Sequence, residues 1–197
     1  MKAFATKMRT IGLSIGLLGG LSGAFVKTAM VLAFTLATAL AAQVKIPVPG
    51  TPIPVTLQTA IVLLAGLSLG RTRGALSQAL YIAAGALGLP FFAGASGMEA
   101  LVGPSGGYLF GFILAAWFAG SIPTRGSFLR TWLITFVASL LIFIPGVLQL
   151  KALTLATWPQ AFAMGVLPFI FGDLMKVTLV ATIHSLRTTQ PRVGSLE

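Results

Sequence analysis

The chain has 197 residues, 56% of them hydrophobic and only 8% charged, with no cysteine and a formal net charge of +10; its mean hydropathy is +0.98. Charged residues make up about 25% of a soluble domain, so this composition excludes a soluble catalytic domain, and the missing cysteine excludes disulfides, thiol nucleophiles and thiolate metal sites. One histidine (His184) and three acidic residues (Glu99, Asp173 and Glu197) do not suffice for a protein-only metal cage, and the cationic excess reads as loops facing anionic lipid rather than as a nucleic-acid surface.

At about 20 residues per span the chain has room for roughly six or seven transmembrane helices and little else. Residues 1–25 carry Lys2, Lys7 and Arg9 before a short, glycine-rich apolar stretch, Ile11 to Leu21. A signal peptide cut near Ser22-Gly23-Ala24 is one reading; a retained, basic interfacial extension suits the short stretch better. The membrane domain then covers residues 26–187, with spans predicted at Val26–Gln43, Val55–Gly70, Ala75–Leu89, Gly106–Ser121, Thr131–Leu150 and Ala161–Leu186, and a cytoplasmic tail over 188–197. Prolines and glycines mark the connections. The fold class expected is therefore all-α, a bundle of six transmembrane helices.

Orientation follows from lysine and arginine placement. Six spans with an inner N-terminus put Lys2, Lys7, Arg9, Arg71, Arg73, Arg125, Arg130, Arg187 and Arg192 on the cytoplasmic side and only Lys45 and Lys151 outside. Both termini should be cytoplasmic, in a multi-pass protein of the bacterial cell membrane.

The last span contains Asp173 and Lys176. A charge at bilayer depth costs about 2.5–3.5 kcal/mol on insertion scales and usually faces a bundle interior, and a spacing of three puts both groups on one face. A structural ion pair and a polar recognition site are the two readings, and the second accords better with the rest of the chain. On the first span, Ala29, Ala33, Ala37 and Ala41 form a ladder of small residues that lets another helix approach closely, inside the bundle or from a partner. The segment from Lys45 to Pro54 holds four prolines in eight residues (Pro47, Pro49, Pro52 and Pro54); it forms a rigid connection or caps a cavity opening outward. Residues 85–108 are rich in glycine and end on Tyr108, whose ring carries a polar tip. No Lys-Ser/Thr pair follows these glycines, so they do not form a phosphate loop.

Gly94-Ala95-Ser96-Gly97 and His184 supply the residue types of a rhomboid-type serine protease. This topology places Ser96 in an outer loop and His184 near the inner end of the last span, roughly 20–30 Å apart at ~1.5 Å rise per residue, far outside the hydrogen-bond reach such a dyad needs.

An ordered set of segments is more specific. Val55-Thr56-Leu57-Gln58-Thr59, Leu64-Ala65-Gly66-Leu67-Ser68-Leu69-Gly70, Gly85-Ala86-Leu87-Gly88-Leu89-Pro90, Gly103-Pro104-Ser105-Gly106-Gly107-Tyr108 and Gly172-Asp173-Leu174-Met175-Lys176 resemble, in order and spacing, the BioY family of biotin-specific S components of energy-coupling-factor transporters. The resemblance runs from about Ala29 to His184. It implies a six-helix protein that is not an enzyme, needs no cofactor, and binds biotin in an outward cavity. Asp173 and Lys176 would contact the ligand together with Tyr108, Gln58, Ser105 and Gly94. The alanine ladder would dock onto a transmembrane coupling subunit that works with two ATP-binding subunits. Residues 91–105 carry only Glu99 as a charge, so that loop offers no basic anchor for the carboxylate of biotin. A self-sufficient transporter, or an S component for thiamine or riboflavin, would share this topology.

Overall fold

A computed structural model of the chain describes residues 2–94, 96–121 and 127–189, with side chains described from residue 23 to residue 186 within those ranges. Arg125, Arg192 and most of the 188–197 tail lie outside the described residues, as do the side chains of Lys2, Lys7, Arg9 and Arg187.

The apolar runs form helices. Chain order is α1 (Lys2–Gln43), a two-residue ribbon of β1 (Lys45–Ile46) and β2 (Val55–Thr56), α2 (Gln58–Leu69), α3 (Arg71–Ala86), the short α4 (Met98–Val102), α5 (Gly106–Ala119), α6 (Phe128–Thr154), α7 (Trp158–Gly165) and α8 (Leu167–Thr189). Helix α1 runs unbroken through residue 25. Among the described residues, three helical stretches are long and apolar enough to cross a membrane: Gly23–Gln43, Phe128–Thr154 and Leu167–Leu186. Helices α2 and α5 are apolar and shorter, about 18 and 21 Å long at ~1.5 Å per residue.

The expected last span, Ala161–Leu186, is two helices. Helix α7 begins at a capping box, in which the Thr157 N–H donates to Gln160 Oε1 at 2.9 Å. It ends at Gly165, and α8 restarts at Leu167. Pro168 explains the break: with no N–H it cannot bond the carbonyl four residues back, whereas in the first turn of a new helix that donor is not needed. Pro145 sits inside α6 without ending it.

Polarity is distributed inside out. Large apolar side chains point outward, among them Phe25, Leu40, Phe171 and Met175, while Thr35, Thr38, Gln58, Ser77, Gln78, Thr135, Ser139, Asp173 and Lys176 are buried. Lipid is as apolar as leucine, so packing and interhelical hydrogen bonds, rather than burial of apolar surface, hold such a bundle together. Between α1 and α3 the Thr38 hydroxyl donates to Gln78 Oε1 (3.3 Å), and Gln78 Nε2 donates to Ser77 Oγ (3.0 Å). Helices α5 and α6 pack backbone to backbone, because a Cβ at Gly107 or Gly111 would run into the main chain at Pro145 or Ile142.

Buried apolar residues form two clusters. One gathers Tyr81, Phe92, Tyr108, Phe112, Ile142 and Leu150. The second holds Leu63, Leu67, Ala119, Ala138, Val177 and Val180, further along α2, α5 and α8 and nearer the start of α6.

Candidate functional site

The β1–β2 connection, the N-terminal ends of α2 and α5, the α3–α4 connection with α4, the middle of α6 and the first half of α8 meet at one end of the bundle. There they line a cavity of about 320 Å³. Its lining brings together Asp173, Lys176, Tyr108, Gln58, Ser105 and Gly94 from four regions of sequence, along with Pro52, Ile53 and Pro54 of the proline-rich connection. Cavities of ~300–1,000 Å³ are the size that holds small molecules, and this one lies at the small end.

Asp173 and Lys176 occupy the second and third turns of α8, with Lys176 Nζ 3.5 Å from Asp173 Oδ1. Both are nearly buried, at 5% and 8% exposure. The pair is thus a structural ion pair and part of a cavity wall at once. The buried Ser139 of α6 places its hydroxyl beside the same carboxylate. A 3.5 Å separation is long for a charge-assisted hydrogen bond, so each group keeps capacity for a third partner.

Gln58 opens α2 facing inward. Its Nε2 donates to the Tyr81 hydroxyl (2.6 Å), its Oε1 accepts from Thr56 Oγ1 (3.0 Å), and the Tyr81 hydroxyl donates to the Phe91 carbonyl (3.3 Å). This chain ties β2, α2, α3 and the following loop into one polar wall. Tyr108 uses its hydroxyl structurally, donating to the Gly165 carbonyl at 2.9 Å, and presents its ring to the cavity. Ser105 precedes α5, and Gly94 lies in the α3–α4 connection at φ +90°. Gln149 of α6 fixes the loop before α5, its Nε2 donating to the carbonyls of Leu101 (2.7 Å) and Gly103 (2.8 Å).

Several contributors escaped the sequence reading. Phe92, Phe112, Phe143 and Phe169 form much of the apolar wall, and Tyr81 and Ser139 support the polar groups. Aromatic residues inside apolar runs face lipid as readily as a cavity, so the phenylalanines carried no signal. Ser139, a hydroxyl amid apolar residues of α6, did carry one. The alanine ladder lies away from the cavity: Ala29 and Ala33 are exposed, Ala37 is half-buried and Ala41 is buried. Ser96 is exposed at the cavity end of the bundle, while His184 is buried near the far end of α8, so the two are not neighbours.

A family model for the BioY family matches residues 14–192. Among relatives, "Biotin transporter BioY" of Thermotoga maritima is 38% identical over 152 residues, 76% of this chain and 88% of its own length. "Probable biotin transporter BioY" of Methanothermobacter thermautotrophicus is 41% identical over 144 residues, 66% of this chain and 91% of its own length. The crystal structure of the S-component for biotin from an ECF-type ABC transporter shares the fold, with a TM-score of 0.79 at 23% identity over 86% of this chain and 94% of that one. These relatives bear the names of transporters, not of enzymes. An inside-out bundle with an ionic pair walled into a small cavity, matched over nearly its whole length, belongs to the BioY family of multi-pass membrane proteins.

Proposed function

We propose that this chain is the biotin-binding subunit of an uptake system, with six membrane crossings, both termini cytoplasmic and the cavity opening to the outside. The observation that carries the reading is the buried Asp173–Lys176 pair set in the wall of a 320 Å³ cavity. Biotin offers two ureido N–H donors and a ureido carbonyl. The carboxylate of Asp173 accepts from the first, and the ammonium of Lys176 donates to the second. The aromatic wall takes the apolar thiophane ring and tail, the mixture of apolar lining and few polar groups usual for such sites. The small cavity volume favours biotin over the larger riboflavin. The six crossings are α1, α2, α3, α5, α6 and the α7–α8 segment. The chain carries no ATP-binding motif, so uphill uptake relies on a partner module of a transmembrane coupling subunit and two ATP-binding subunits in the cell membrane.

Equilibrium binding of labelled biotin, thiamine and riboflavin to the purified chain tests this. Biotin alone should bind, and desthiobiotin, which keeps the ureido group, should compete. An analogue lacking that group should not, because it leaves buried Asp173 unpaired. Equal competition by both analogues would show recognition through the tail instead. Preferred binding of another vitamin would reassign the ligand, and uptake by vesicles holding this chain alone would make it a transporter in its own right.

A further inference from the structure

The cavity has an electrostatic imbalance. Its charged lining residues, among those described, are Glu99, Asp173 and Lys176, two carboxylates against one ammonium, and that ammonium is already engaged by Asp173. A ligand bearing a carboxylate would meet net repulsion unless another cation stood close. Two independent observations place one. Lys45 and Thr56 are directly opposed in the β1–β2 ribbon, and opposed residues of an antiparallel pair project to the same face; Thr56 lines the cavity and bonds Gln58. Across the same rim, a Cβ at Gly94 would stand 3.0 Å from Lys45 Nζ, so the ammonium rests against the bare backbone of a lining residue. Among the described residues Lys45 forms no ion pair with a carboxylate, so its ammonium is available at the edge of an anion-repelling cavity.

We propose that Lys45 is the anchor for the ligand's carboxylate, reached from the ribbon rather than from the 91–105 loop. The proposal rests on the biotin reading and deepens it: the ureido head lies at Asp173 and Lys176, the anionic end at the rim against Lys45. Gly94 then serves by lacking a side chain, which leaves the ammonium its place on the wall.

The test compares biotin with biotinamide, whose tail is neutral, on the purified full-length chain and its Lys45→Met and Lys45→Arg variants. Because Lys45 is exposed, neither substitution removes packing. The wild type should bind biotin about five-fold tighter than biotinamide, as expected for a partly screened ion pair. Lys45→Met should lose the preference and bind biotin no tighter than biotinamide, the uncompensated carboxylates of the lining now opposing the tail, and Lys45→Arg should keep the preference. Added salt should narrow the wild-type preference for biotin. A full biotin preference in Lys45→Met, or none in the wild type, overturns the assignment while leaving biotin binding intact. Failure of both ligands to bind the wild type overturns the biotin reading, and the anchor with it.

Discussion

At the scale of single residues, the site works by letting each polar group do two jobs. Asp173 neutralises Lys176 and still presents an oxygen to the cavity; Gln58 secures Tyr81 while lining the same space. Truncating one member of a buried, hydrogen-bonded charge pair costs about 2–5 kcal/mol. Asp173→Asn and Lys176→Met should therefore each weaken biotin binding by more than about 30-fold in isothermal titration, with the folded protein still recovered. Unchanged dissociation constants in both would leave the pair a purely structural one. Tyr108→Phe is the contrasting case, since its hydroxyl serves the Gly165 carbonyl and its ring serves the cavity. It should lower thermal stability by about 1 kcal/mol and leave biotin affinity nearly intact. The intramembrane charges were legible in the sequence because lipid makes them costly. Tyr81, at zero exposure, was not: nothing in a linear pattern distinguishes a tyrosine that buttresses Gln58 from one at a membrane interface.

Among the elements, the spans read from apolar runs match the helices closely where glycine and proline bracket them, as at Gly106, where α5 begins as expected after Gly103-Pro104. The reading missed one break, at Pro168, because a proline inside an apolar run does not always end the helix. Pro145 is absorbed by α6, whereas Pro168 divides the last span into α7 and α8, although both lie in apolar stretches. The break is useful, because it frees the Gly165 carbonyl region for Tyr108 and starts α8 close to the cavity, with Asp173 two turns in. The α5–α6 contact gives a direct test of packing by small residues. Gly111→Leu drives a side chain into the backbone at Ile142 and should abolish accumulation of folded protein in the membrane. Gly172→Ala, one residue from Asp173, meets only a Val55 methyl at 3.8 Å and should express and bind biotin like the wild type. Fluorescence-detected size exclusion separates the two outcomes, and a monodisperse Gly111→Leu would show that α5 and α6 can part without loss of fold.

Across the whole molecule, two cation–aromatic pairs mark opposite ends of the bundle. The guanidinium of Arg71, where α3 starts, lies 5.1 Å from the ring centre of Trp117 near the end of α5; the ammonium of Lys151, near the end of α6, lies 4.9 Å from that of Trp158 at the start of α7. Tryptophan and snorkelling cations favour the headgroup level, so the distance between these pairs spans the apolar slab, with the cavity at the Lys151 end. That end carries Lys45 and Lys151, the opposite end Arg71, Arg73 and Arg130, the asymmetry on which the proposed outward-opening orientation rests. The alanine ladder runs between the two levels and changes character along its length, from exposed Ala29 and Ala33 to buried Ala41. Spacing alone gave the four residues one role; burial divides them, because residues four apart turn about 40° per step around the helix, and beside the exposed pair it is Val31 and Thr35 that face the bundle. Under the proposed function, the exposed half is the stretch that a helix of a coupling subunit would approach closely. Ala29→Trp combined with Ala33→Trp should leave biotin binding by the purified subunit unchanged and abolish both co-purification with the energising module and ATP-dependent uptake. Ala41→Trp should instead impair folding itself, since that position is already enclosed. Loss of biotin binding in the Ala29/Ala33 variant would place the whole ladder inside the bundle, and unimpaired uptake would move the docking surface to another face.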